Sequence, residues 1–148
     1  MAAERRANAV WEGNLTEGKG TITSVGSGAF GNLPVTWTAR TEQPGGKTSP
    51  EELIAAAHAS CFCMAFANEL DKVGKPPERL TVSATCRADK LERGFTILAM
   101  DLEVSGRVPN IDRSEFERVA NAAKTSCPVS RALANNIEIR LKAAHLED

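Results

Sequence analysis

The 148-residue chain is long enough for one domain, expected to span residues 1–148, and its 42% hydrophobic content can supply a core at that size. Eighteen Lys and Arg nearly balance nineteen Asp and Glu with no run of like charge, which argues against nucleic acid or an anionic membrane as partner. No apolar leader follows Arg5 and Arg6, and no stretch is read as long enough to span a bilayer, so a cytoplasmic location is expected.

Residues from about Ala7 to Leu15, Gly20 to Val25 and Leu33 to Arg40 carry Val, Ile, Trp and Thr between glycine-rich turns, which predicts three short antiparallel strands. Gly26-Ser27-Gly28-Ala29-Phe30-Gly31 satisfies the letter of G-x-G-x-x-G. Pro34 and a strand follow where a dinucleotide motif needs a helix, so the segment reads as a hairpin loop. Gly46-Lys47-Thr48 fails as the end of a phosphate-binding loop, because Thr41 stands where the first glycine would fall.

Ser49-Pro50-Glu51-Glu52 offers an N-cap, a proline at the first helical position and a capping-box glutamate at the third, opening a helix that runs to about Val73. Leu53 to Ala57 and Cys61 to Ala67 are apolar on nearly every face, which predicts a buried central helix. Leu80, Val82, Ala84, Cys86 and Ala88 then alternate with polar residues. Leu98, Met100, Leu102 and Val104 alternate with Asp101 and Glu103 in the same way, and the pair reads as a hairpin. Asp112 caps a second helix with the apolar stripe Phe116, Val119, Ala120 and Ala123. Cys127-Pro128 restarts a short helix, and Ile137, Ile139 and Leu141 mark a last strand. The order predicts an α+β architecture, an antiparallel sheet with a long buried central helix and a second helix on one face. A helix apolar all round needs more cover than one sheet offers, and a homodimer is inferred from that excess.

Four cysteines in a reducing compartment are thiols, metal ligands or redox centres rather than a disulfide framework. His58, Cys61 and Cys63 do not converge on a metal ion, since Cys63 projects roughly 200° from Cys61 around a helix. Taken alone, Cys61 on a buried helix is more often a small hydrophobe than a nucleophile. Cys127, just before Pro128, is either a plain N-cap or a thiol activated by helix amides.

Ser49-Pro50-Glu51-Glu52-Leu53-Ile54-Ala55-Ala56-Ala57-His58-Ala59-Ser60-Cys61-Phe62 resembles the first-cysteine helix of the OsmC/Ohr family of hydroperoxide-reducing proteins. Thr125-Ser126-Cys127-Pro128-Val129-Ser130 resembles its second-cysteine motif. The likeness continues in order through Ala9-Val10-Trp11-Glu12-Gly13, Gly18-Lys19-Gly20-Thr21 and Val108-Pro109-Asn110-Ile111-Asp112, over nearly the whole chain. His58-Ala59 ahead of the cysteine and the arginine at Arg40 bring it closer to the osmotically inducible branch.

The resemblance implies an OsmC-like fold, an intertwined homodimer and a thiol peroxidase that needs neither cofactor nor metal. It places the peroxidatic cysteine at Cys61, the resolving cysteine at Cys127, the activating arginine at Arg40 and the carboxylate that orients it at Glu51. Its partners would be an organic hydroperoxide, with Phe62, Phe66, Met64 and Leu53 favouring an apolar alkyl group, and an external dithiol such as a lipoylated protein. Glu51 is preferred to Glu52 because a capping box already explains Glu52. Cys86 and Cys63 are read as structural, although a second thiol at Cys63 departs from the usual family pattern. Glu51 and Cys61 lie roughly 15 Å apart along one helix, so a site using both is expected to be shared between two subunits. Two other readings fit the same residues: a dimer that binds a hydrophobic ligand without turning it over, and a redox sensor.

Overall fold

A computed structural model describes residues 2–148, the side chain of Ala143 excepted. The chain divides into two compact units, one ending at Leu53 and the other spanning Ile54–Asp148.

The first unit is a three-stranded antiparallel sheet, β1 (Ala7–Glu12), β2 (Lys19–Val25) and β3 (Gly31–Val35), followed by the short helix α1 (Trp37–Thr41) and the opening of α2 (Pro50–Lys72). Gly20 pairs with both Trp11 and Val35. A Cβ there would stand 2.6 Å from the Trp11 ring and 2.9 Å from Val35, so only glycine lets the three strands close at this point. The third strand is shorter than its composition predicts. Thr36 adopts extended backbone and its hydroxyl accepts the Ala39 N–H at 3.1 Å, an N-cap that turns Trp37–Thr41 into helix and places Arg40 in the last turn. At α2 the cap forms as expected, with Ser49 Oγ accepting the Glu52 N–H at 3.1 Å. Glu52 itself accepts from the Thr48 hydroxyl at 2.9 Å.

The second unit holds the rest of α2, the hairpin β4 (Arg79–Leu91) and β5 (Gly94–Arg107), helices α3 (Arg113–Ser126) and α4 (Pro128–Leu133), and β6 (Glu138–Leu146). The hairpin is antiparallel as predicted, whereas β6 runs parallel to β5, because the helical crossover through α3 and α4 returns the chain to the same end of the sheet. Leu98, expected inside, is an extra residue. Arg87 pairs with Ala99 and Ala88 with Ile97, so a bulge turns Leu98 outward, 41% exposed.

Phe62, Phe66, Met100, Leu102, Phe116, Val119 and Ala123 are among the core residues of this unit, and the Phe66 and Phe116 rings meet at 5.1 Å with their planes tilted 54°. The predicted stripe of α3 is the buried one. α2 differs from expectation. Its buried positions in this unit are His58, Phe62, Phe66 and Leu70, a single stripe at four-residue spacing, while Ala56, Ala57, Ser60, Met64 and Asn68 are exposed. By length and composition α2 could also cross a bilayer, contrary to the sequence-based expectation. A core helix of a folded unit passes the same test, and this one packs a phenylalanine stripe against α3.

The outer face of the second sheet carries a buried acid. Asp101 is 3% exposed beneath Arg87, Arg140 and Lys142, with Arg140 Nε at 2.5 Å from Oδ1 and Lys142 Nζ at 3.5 Å from Oδ2. Hydrogen bonds from Arg140 and then Arg87, which outweigh the burial, hold its carboxyl at about 2.

Candidate active site

Cys61 lies in the middle of α2, and Cys127 sits at the break between α3 and α4, where Pro128 forbids one continuous helix. The Cys127 N–H closes α3 on Ala123 O at 2.8 Å while its own carbonyl accepts from Arg131 N at 2.9 Å to open α4. Extended backbone at Cys127, with φ −60° and ψ 121°, separates the two helices. Cys127 is fully buried and Cys61 half-buried. Although 66 positions apart in sequence, they share one core cluster, Cys127 within it and Cys61 packed against it.

Burial pushes the Cys61 thiol above its ordinary value, and the neighbouring Cys127 adds to the rise. The Val129 backbone N–H, donated to Cys61 Sγ, and the positive charge of Arg131 act the other way. The cation that favours the Cys61 thiolate within this unit is therefore Arg131, a residue that sequence reasoning passed over. Its only signal was its place one turn after Cys127. Cys63 is likewise raised by burial, and Cys86 packs half-buried against the core.

One turn before Cys61, His58 is wholly buried, its Nε2 at 2.7 Å from Ser130 Oγ. Burial lowers its pKa, which favours the neutral ring. Among the described residues, His58 Nδ1 is the one buried side-chain nitrogen or oxygen without a hydrogen-bond partner. Such an atom costs about 1–3 kcal/mol. Phe62 and Phe66, expected beside a substrate, are instead fully buried against each other and Phe116, while Met64 is 68% exposed.

In the first unit Arg40 and Glu51 form a side-on ion pair. Arg40 Nε donates to Oε1 at 3.0 Å and Oε2 at 3.1 Å, and Nη2 donates to Oε1 at 2.7 Å. Glu51 is 7% exposed, and the Arg40 guanidinium also stands 5.8 Å from the Trp37 ring centroid. Glu51, rather than the cap-bound Glu52, is thus the carboxylate that fixes an arginine fork.

Residues 43–142 match the family profile described as OsmC-like protein. The chain belongs to the OsmC-like family. It is 39% identical over 139 residues to Peroxiredoxin OsmC of Escherichia coli strain K12, covering 94% of this chain and 96% of that protein. Against the Organic hydroperoxide resistance protein of Xanthomonas axonopodis pv. citri the identity is 31% over 102 residues, 68% of this chain and 69% of that one. Among solved structures, the fold matches the organic hydroperoxide resistance protein OhrB of Bacillus subtilis with TM-score 0.72 at 24% identity, over 96% of this chain and 98% of that chain. It matches an OsmC-like protein from Mycoplasma pneumoniae with TM-score 0.74 at 16% identity, over 99% and 100%. OsmC-like membership, with relatives so named, supports a hydroperoxide-related redox role for this chain.

Proposed function

We propose that this OsmC-like protein is a Cys-based hydroperoxide reductase in which Cys61 attacks the peroxide and Cys127 resolves the product. The observation that carries this reading is that Cys61 on α2 packs against the core cluster that contains Cys127, at the break between α3 and α4, where Cys127 acts on the Cys61 thiol. The Cys61 thiolate takes one oxygen of ROOH, the O–O bond breaks, and the alkoxide leaves as ROH after protonation. Cys61 is then a sulfenic acid. Cys127 condenses with it, releasing water and forming a Cys61–Cys127 disulfide, which an external dithiol reduces back to two thiols.

Arg40, held by Glu51, is the cation that favours the thiolate in the reactive arrangement, opposing the burial that raises Cys61. A homodimer in the cytoplasm completes the reading. Its support is the exposed side of α2, where Ala56, Ala57 and a 68% exposed Met64 flank Ser60 and offer apolar side chains that a second copy can cover. The deciding experiment is steady-state turnover with tert-butyl hydroperoxide and hydrogen peroxide, using dihydrolipoamide and thioredoxin in turn. Faster consumption of the organic peroxide with at least one dithiol is expected. No peroxide-dependent oxidation of Cys61 would overturn the assignment and favour a ligand-binding role.

A further inference from the structure

Position 58 belongs to the same stripe as Phe62, Phe66 and Leu70, where an aliphatic side chain would fill the space with no polar atom to satisfy. A neutral imidazole carries one donor and one acceptor, so Ser130 at Nε2 answers one nitrogen and leaves Nδ1 unanswered in either tautomer. What His58 supplies is a 2.7 Å link between α2 and the first turn of α4, across 72 positions of sequence. Ser130 is itself 2% exposed, and the residue before it, Val129, donates its backbone N–H to Cys61. Adjacent residues of α4 thus face α2 one helical turn apart, Ser130 through its 2.7 Å hydrogen bond to His58 and Val129 beside the Cys61 thiol.

We propose that the His58–Ser130 hydrogen bond is a latch that holds Cys127 against Cys61 for the resolving step, making His58 and Ser130 positioning residues. This rests on the assignment of Cys61 and Cys127 given above. When Cys61 is oxidised, its sulfur gains an oxygen that crowds the Val129 contact, and the His58–Ser130 tie, which does not touch the reacting sulfur, remains. Cys127 then attacks the Cys61 sulfur: the S–S bond forms, the S–O bond breaks, and hydroxide leaves with the Cys127 proton as water. A disulfide needs its two Cβ atoms within about 3.5–4.5 Å of each other. Val129 and Leu133 pack α4 against the core, and the His58–Ser130 hydrogen bond adds the directional tie that apolar packing by itself does not give.

The test compares full-length Ser130→Ala, Ser130→Thr and His58→Leu with the unaltered chain in single turnover with one equivalent of tert-butyl hydroperoxide. A sulfenic-acid trap and intact mass separate the first oxidation from disulfide formation. In Ser130→Ala and His58→Leu the disulfide step should slow by about 10–100-fold relative to the first oxidation, with trapped and overoxidised Cys61 rising accordingly. Ser130→Thr, which keeps the hydroxyl, should restore the ratio. Should His58→Leu fold poorly, Ser130→Ala carries the test, because it deletes one buried oxygen and little volume. An unchanged ratio of the two steps in Ser130→Ala, or equal slowing of both, overturns the latch. Failure of the underlying assignment shows separately, as an unaltered chain that forms no Cys61 sulfenic acid.

Discussion

Cys61 and Cys127 share a chemistry and differ in surroundings: Cys61 is half-buried with a backbone N–H and a cation near its sulfur, and Cys127 is sealed in the core. Cys61→Ser is expected to abolish turnover. Cys127→Ser should complete one oxidation per subunit and then stop as a sulfenic or overoxidised Cys61, read by mass after one equivalent of peroxide. If Cys127→Ser loses the first oxidation while Cys61→Ser keeps it, the two roles are reversed. Arg131→Gln removes a charge that lowers the Cys61 pKa, so the thiolate titration should move to higher pH and the first step should slow at neutral pH. Arg40→Met should move it in the same direction and slow the first step more, with Glu51→Gln a milder copy. A Cys61 titration unmoved in Arg40→Met would remove Arg40 from the activating role and leave Arg131 as the working cation.

The helix α2 is a scaffold whose stability rests on one stripe. Phe66 is fully buried between Phe62 and Phe116, so Phe66→Ala is expected to cost about 3–5 kcal/mol and to lower the thermal midpoint by on the order of 10 °C. Scanning calorimetry checks it. On the outer face of the β4–β5–β6 sheet the Asp101 carboxyl titrates at about 2 rather than 3.8. A pKa depressed in the folded state contributes stability above its unfolded value and loses it as pH falls. Melting midpoints should therefore drop between about pH 4 and pH 2, and Asp101→Asn should flatten that part of the profile while lowering stability at neutral pH. A profile in Asp101→Asn that matches the unaltered chain below pH 4 would show that the three cations do not stabilise the charged carboxylate.

Ala56, Ala57 and Met64 along α2, and Val10, Trp11 and Leu98 on the sheets, are exposed apolar side chains that a second copy can cover. A homodimer whose active site is shared is the expected assembly. Mixing an inactive Cys61→Ser subunit with an inactive Arg40→Met, Glu51→Gln subunit should restore activity at one of two sites in the heterodimer. Heterodimers verified by mass that stay inactive, or a chain that sediments as an active monomer, would show that each subunit holds a complete site.

Much of this protein is legible in its sequence, and the legible part is local. The Ser49 and Asp112 caps, the period-two strands of the hairpin, the stripe of α3 and the Cys127-Pro128 break all depend on residues within a turn or two of one another, where sterics and hydrogen bonding leave few choices. The OsmC-like order of motifs, and with it Cys61, Cys127, Arg40 and Glu51 as residues to examine, could be read the same way. Elements whose partners lie far along the chain were misjudged or missed. Composition could not tell that Thr36 would end β3 and start α1, since Thr, Trp and Val suit a strand equally well. The bulge at Leu98 and the parallel pairing of β6 are properties of strand neighbours, which no window of residues encodes. His58 is the sharpest case. Within its helix it is an apolar-stripe position, and its meaning comes from Ser130, 72 residues away, brought to 2.7 Å only when α4 packs on α2. Arg131 gained its influence over Cys61 from that same packing, because a charge acts through space and not along the chain.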